Sequence, residues 1–452
     1  MRIGMFESFV TQHWFNQAAK ALWSDVATLQ AWLDVEVALA QAQAAVGIVP
    51  VEAAERIAAQ ADAGLFDLGR LSRDIAFAQH PFVPVLHQFE ALCGEPAAGF
   101  IHWGATTQNI FDTASALQMK RTHALLATHL DAAIEALCRL ASEHSHTVQA
   151  GRTHGQHALP MTFGFKVAAW IDELDRDRER LQARQTSSFV ASMGGAIGTY
   201  AGGGSLGRAV EVGMAARLGL QPAGMAMRSS FDRVNDYLGA LGLLMGTAEK
   251  IAQDVVFMQR SEIGEVSEAF HLGKVGSSTM AQKRNPATAL LLVSLARLLR
   301  ARLPAMLAGM VRLDEGDSSA TNLCDAMLPD IAILAVSVAE TLARLAQGLV
   351  VHADAMRRNL DLSNGLIASE ALMMRLAGAM GRHEAHQLLY DAAQRSQTEG
   401  IPYIDAIEQH PMRAGLALPD DWANALAPEH YTGSSAELVR EVVERARGNA
   451  MR

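Results

Sequence analysis

Apolar residues return every three or four positions along most of the chain, the spacing of one face of a helix. Leu29, Leu33, Val37, Ala40 and Ala44 form one such stripe, closed by Gly47 and Pro50. Leu126, Leu130, Ile134, Leu137 and Ala141 form a second. Leu244, Ala248, Ile251, Val255 and Met258 form a third, in strict three-and-four alternation. A fourth begins behind Pro286, a residue suited to a first helical turn, and runs through Leu291, Leu295 and Leu298. Runs with β-branched or aromatic alternation are scarce. The pattern predicts an all-α fold of long helices, some close to coiled-coil periodicity. After about residue 355 the helices become shorter and more charged. Three helical domains are therefore expected: 1–110, a central long-helix bundle over 111–355, and a small C-terminal domain over 356–452.

Composition agrees with this picture. Half of the 452 residues are hydrophobic, aromatics are 6%, and there are 13 prolines. That supplies a large core and few helix breakers. A net charge of −10 argues against nucleic-acid binding by the chain as a whole. Cys93, Cys138 and Cys324 are far apart and odd in number, as expected of reduced packing residues in a cytosolic protein. MRIGMFESFVTQHWF has no signal-peptide core, and no run of about 18 uninterrupted apolar residues follows. The expectation is a cytoplasmic protein with no membrane or nucleic-acid partner. HExxH, GxSxG and Walker patterns do not occur, so neither a metal nor another cofactor is expected.

The chemistry lies in the breaks between helices: HWGATTQN (102–109), GRTHGQH (151–157), MGGAIGTYAGGGSLG (193–207) and GSSTMAQKRNP (276–286). The last is the most unusual. Gly276 frees the backbone, and Lys283, Arg284 and Asn285 sit just before a helix start, where amides and the helix dipole favour an anion. Its plainer reading is a solvated loop with Asn285 as helix cap. Thr106, Thr107 and Gln108 offer hydroxyl and amide donors. Thr153, His154, Gln156 and His157 form a third polar cluster, with imidazoles that titrate near neutral pH. Arg152 and His157 can equally be capping or core groups. The glycine-rich run follows no strand, so it reads as a flexible connector rather than a dinucleotide loop.

GSSTMAQKRNP resembles the signature loop of the fumarase/aspartase superfamily, GSSxMPxKxNP. HWGATTQNIFDTA resembles that superfamily's first block and GRTHGQHALPMTFG its second, and the three stand in the family order. The adenylosuccinate lyase and 3-carboxy-cis,cis-muconate cycloisomerase branches are the nearest. PEHYTGSSAELVREVVERA and HPFVPVLHQFE look more like the cycloisomerases, GRTHGQHA more like adenylosuccinate lyase. Ala281 replaces the usual signature proline, and Asn109 replaces an acid often found after the TSQ-like triplet of the first block.

The resemblance implies a homotetramer around a twenty-helix core, with active sites shared between subunits. It implies anti β-elimination from a succinyl-type di- or tricarboxylate, releasing fumarate, with C–N cleavage of an N-substituted aspartate as the first reading. It makes Ser277 the general base and His154 the acid or a positioning group. Lys283 and Asn285 would bind the carboxylate that gains charge. Thr106, Thr107 and Thr153 would hold carboxylates, and Gln108, Gln156, Ser278 and Met280 complete the substrate-binding set. Intramolecular lactonisation by a muconate cycloisomerase is the second reading. Adenylosuccinate lyase is a weaker one. Gly316 stands where that branch carries an arginine, and Asp314, Glu315, Asp317 and Asp325 would face a phosphate with little compensating charge. Those acids would suit an amino-bearing substituent, or simply form a solvated loop. A non-enzymatic structural role fits poorly with Ser277, Lys283 and Asn285 standing together.

Overall fold

Helices dominate the computed structural model, which is 69% helical and describes residues 4–226, 228–270, 273, 276–416 and 421–450. The first stripe lies on α1 (Asp25–Ala45), started by the Ser24 hydroxyl, which accepts from the Ala27 amide at 3.3 Å. Gly47, with φ +76°, turns the chain away at its end. Burial on α1 is wider than one stripe. Ala31, Val35, Glu36, Ala38 and Gln43 are also covered, so the helix is enclosed nearly all round. The second stripe lies on α2 (Thr107–Glu143), and Leu126, Leu130, Ile134, Leu137 and Ala141 are all buried.

Six further elements position the polar breaks. A hairpin of β1 (Val148–Thr153) and β2 (Gln156–Thr162) leads into α3 (Phe163–Ser188). The third stripe, buried throughout, lies on α4 (Asp232–Met258), which β3 (Val266–Glu268) follows. The segment from Gly276 then enters α5 (Ala287–Arg300). On α5 the core face is Ala289, Leu292, Leu295, Ala296 and Leu299, rotated from the expected Leu291–Leu295–Leu298 row. Of the residue boundaries expected along the chain, the one near 110 falls at the start of α2.

Next come α6 (Ser318–Gln347), β4 (Leu349–Val351), which pairs antiparallel with β3, and α7 (Ala353–Asp361). By length and hydropathy α6 would suffice to cross a membrane. Its most apolar window is, however, 72% buried inside the protein, as for a core helix. α8 (Ser369–Met380) and α9 (Arg382–Glu399) close a cluster around Leu372, Leu376, Leu388, Leu389 and Tyr403. The last helix, α10, spans Ser435–Ala450.

The chain divides into two compact units. The first holds residues 1–130, 176–249 and 291–341; the second holds 131–175, 250–290 and 342–452. Helices α2 to α6 each contribute residues to both.

Two of the breaks differ from what the sequence led us to expect. GRTHGQH is the turn of the β1–β2 hairpin, not a helix-to-helix loop. Its tip, His154 (φ +53°) and Gly155 (φ +77°), has the two left-handed residues of a type I′ turn. The register shifts between Ala150 and Arg152, a bulge at Gly151, where a Cβ would lie 2.8 Å from the Leu159 carbonyl oxygen. The glycine-rich run is not a loose connector either. Buried Glu211 accepts hydrogen bonds from the Met193 amide at 2.9 Å, the Tyr200 hydroxyl at 3.1 Å and the Gly224 amide at 3.1 Å. One carboxylate just beyond the run thus holds its start and its middle, and ties them to Gly224.

Candidate active site

The first polar block sits at the start of α2, in the first unit. Asn109 Oδ1 accepts from the Thr106 amide at 3.1 Å and from the Gly195 amide at 3.2 Å. The first bond is one half of a capping box, made by an amide side chain, and the second ties the block to the glycine-rich run. The departure from the family acid at position 109 therefore has a structural use. Upstream, buried Glu36 accepts from the His102 amide at 3.0 Å and lies 2.6 Å from its Nδ1. Gln108 donates to Asp112 Oδ1 at 2.6 Å, one turn along α2.

The second block is in the second unit. Thr153, His154 and Gln156 are exposed at the hairpin tip, and the register sets Thr153 opposite Gln156 and Arg152 opposite His157. Arg152 forks onto Glu265, at 3.0 Å from Nη1 and 2.6 Å from Nη2. Gln149 and Asn359 add donors at 2.8 and 3.0 Å, so the fully buried carboxylate is saturated. Burial alone would raise the Glu265 carboxyl. The hydrogen bonds from Arg152, Asn359 and Gln149, with the charge of Arg152, hold it below its ordinary range instead. Burial, and then the Arg152 charge, lowers the His157 imidazole, so His157 stays neutral beside the ion pair.

The signature loop is also in the second unit. Ser277 Oγ accepts from two backbone amides of its own loop, Thr279 at 3.3 Å and Met280 at 3.0 Å. The Lys283 amide donates to the Met280 carbonyl at 3.1 Å. Asn285 Nδ2 donates to the Gly276 carbonyl at 2.6 Å, closing the loop at its base. Only glycine fits at 276, because a Cβ there would lie 2.1 Å from the Lys283 carbonyl oxygen. Ser278, Met280 and Lys283 are exposed, and Ser277 and Asn285 are partly covered.

The sequence reading offered the start of α5 as an anion site. The structure removes the helix end itself from that role. Glu268 already accepts from the Thr288 amide at 3.0 Å and the Ala289 amide at 2.7 Å, so an acid of the chain itself occupies the helix end. Glu268 and Glu265 stand on the same short segment. The hairpin and the signature loop are thus both fastened to the residues that follow α4. Gln259 reinforces this, accepting from the Glu268 amide at 3.0 Å and donating to the Arg284 carbonyl at 3.2 Å.

Beside Gln108 the first unit holds a cavity of about 100 Å³. Its walls include Phe111 and Asp112 of α2, Phe231, Tyr237, Arg312 and Asp325. Of the polar members, Gln108 and Asp325 stood out in the sequence, and Asp112, Tyr237 and Arg312 did not. The charge balance expected there also needs correcting. Arg228 brings its guanidinium to within 3.0 Å of where a Gly316 Cβ would be, and Arg312 donates to the Arg228 carbonyl at 2.9 Å. Two arginines from separate segments therefore supply the cation that position 316 lacks. Of the four acids, Asp317 caps α6, accepting from the Ser319 amide at 2.9 Å, while Asp314 and Glu315 face solvent. Burial pushes the Asp112 carboxyl up to about 6, opposed by the bond from Gln108 and the charges of Arg312 and Arg228. Burial likewise raises Asp325, against Arg312.

Residues 14–298 match the Lyase family, and residues 365–442 match the adenylosuccinate lyase C-terminus. The chain belongs to the fumarase/aspartase superfamily. It is 34% identical to N-acetyl-S-(2-succino)cysteine lyase of Dickeya dadantii, over 96% of this chain and 95% of the relative. It is 35% identical to adenylosuccinate lyase of Pyrococcus abyssi, over 95% of each. The crystal structure of 3-carboxy-cis,cis-muconate lactonizing enzyme from Pseudomonas putida matches with a TM-score of 0.89 at 32% identity, over 97% of this chain and 98% of that one. This superfamily member is therefore a lyase-type enzyme on a mostly helical fold, with chemistry of the fumarate-lyase β-elimination type.

Proposed function

We propose that the protein eliminates fumarate from a succinate substituted through nitrogen or sulfur, with Ser277 as general base. The observation that carries this reading is the pair of amides on Ser277 Oγ. A serine hydroxyl is a poor base unless its oxyanion is stabilised before it forms, and donors fixed in the same loop supply that stabilisation without reorganisation. The serine oxyanion takes the proton from the carbon beside a carboxylate. The electrons of that C–H bond become the second bond of fumarate, and those of the bond to nitrogen or sulfur leave with the departing atom. Lys283 and Asn285 bind the carboxylate that carries the transient charge. Thr106, Thr107 and Thr153 hold the carboxylates with their hydroxyls, supported by Gln108, Gln156, Ser278 and Met280. His154 delivers a proton to the leaving atom.

Nitrogen is the leaving atom in the first reading. The likeness to N-acetyl-S-(2-succino)cysteine lyase supports sulfur equally, because a thiolate departs more readily than an amide anion or amine. The superfamily likeness supports a homotetramer in which copies of this chain complete one another's sites, and we place its work in the cytoplasm. The test is fumarate release, followed by ultraviolet absorbance, across a panel of N- and S-substituted succinates. Release from at least one member is expected, and silence across the panel would defeat the reading. Lactonisation of 3-carboxy-cis,cis-muconate is the second reading, favoured by the likeness to the Pseudomonas putida enzyme. Loss of the muconate chromophore would reveal it.

A further inference from the structure

The cavity beside Gln108 is built from charges that the elimination chemistry does not use. Arg312 lies flat on the ring of Phe231, 4.4 Å from its centroid. Three of its contacts go to uncharged groups: Nε to the Gly309 carbonyl at 3.1 Å, Nη1 to the Arg228 carbonyl at 2.9 Å, and Nη2 to Cys324 Sγ at 3.6 Å. A guanidinium has five N–H donors, so two remain uncommitted. Among the described residues Arg312 makes no ion pair, although Asp112 and Asp325 lie within electrostatic reach of it. Behind it, Arg228 keeps a buried Nε with no partner and fixes Nη1 on the Ala196 carbonyl at 2.8 Å. The remaining walls mix apolar side chains with four serines and Arg233, whose Nη1 and Nη2 donate to the Ser187 and Ala223 carbonyls at 3.1 and 3.2 Å.

We propose that this cavity receives the leaving group, and that the leaving group is an α-amino acid or its N-acyl derivative. Its carboxylate pairs with the open edge of Arg312, its N–H faces Asp112 and Asp325, and its side chain crosses the apolar wall to the succinyl unit. With Nε committed, the two open donors are one N–H on Nη1 and one on Nη2, and a carboxylate is the charged acceptor that matches them. Asp112 and Asp325 have no cation of their own at salt-bridge distance, so an N–H from the ligand gives them a partner. The bond from Gln108 to Asp112 links this recognition to the substrate-binding block. The inference rests on the elimination reading, in which Gln108 borders the substrate.

Two measurements test it, and they fail separately from that reading. The first is calorimetric binding of N-acetyl-S-methylcysteine, a stable mimic of a released thiol, to wild type, Arg312→Gln and Arg312→Lys. Binding should weaken roughly 10- to 100-fold in Arg312→Gln, as for loss of a charged hydrogen bond, and recover in part in Arg312→Lys. If Arg312→Gln, folded by its melting curve, binds like wild type, or if wild type does not bind the mimic, the receptor falls whether or not fumarate is ever released. The second compares S-(2-succino) adducts of N-acetylcysteine, cysteine, 3-mercaptopropionate and 2-mercaptoethanol. Wild type should prefer them in an order set by the carboxylate and N–H, and Arg312→Gln should compress the preference for carboxylate by the same roughly 10- to 100-fold. An undiminished preference would overturn the proposal. Arg312-dependent binding of the mimic with no fumarate from any adduct would leave an amino-acid receptor but overturn its assignment to a leaving group.

Discussion

Arg152 grips Glu265 with both terminal nitrogens, at 3.0 and 2.6 Å, two residues before His154. The pair fixes the base of the hairpin that displays Thr153 and His154. Removing one partner of a buried ion pair strands the other, so Glu265→Gln should lose about 3–5 kcal/mol of stability. The pH dependence follows from the lowered Glu265 carboxyl. A depressed folded-state value means that the stabilisation is complete above the unfolded value, near 4.3, and is lost as pH falls through the folded value. Melting temperature measured against pH should therefore drop on the acid side in wild type. Glu265→Gln should lack that component, and an identical acid limb in both proteins would refute the assignment.

Ser277→Ala removes the hydroxyl but leaves both loop amides in place. Turnover should fall by roughly 10² to 10⁴, the range of a positioned general base. Circular dichroism and melting should match wild type, because Ser277 is only partly covered. Wild-type kcat in this variant would rule out Ser277 as the base.

Gly276→Ala places a methyl group 2.1 Å from the Lys283 carbonyl oxygen, too close without moving the loop. The loop is largely exposed, so stability should change by less than about 1 kcal/mol. kcat should fall at least tenfold. A variant with full activity would show that the closed loop geometry is not the working one.

His154→Asn separates the two leaving atoms. An amine departs only with a proton, whereas a thiolate, with a parent thiol near pKa 8.5, departs largely unaided. Rates with N-linked substrates should drop at least tenfold more than rates with S-linked ones. Equal losses would remove His154 from the role of acid.

The three polar blocks and the helical scaffold were legible because their signals are local: helical spacing, a proline at a helix start, glycines at turns. The hairpin was not. Gln149 and Arg152 carry no strand propensity, and their conformation is set by Glu265, more than a hundred residues away. The glycine-rich run looked loose because its order comes from Glu211, an acid outside the run. At the cavity, Arg228 and Arg312 are 84 residues apart in sequence, so neither predicted the other. One signal was available: Asp112 lies four residues beyond Gln108, the spacing that puts two side chains on one helical face. Glu268 capping α5 was hidden likewise, for the acid precedes the helix by some twenty residues.

The clasp between Asn285 and Gly276 makes the signature segment a ring with one neck. A ring so closed would tilt as a body, its hydroxyl keeping the same two amides. Closure over substrate would then carry a finished base into place instead of assembling one, and the entropy of ordering that base would already have been spent when the chain folded.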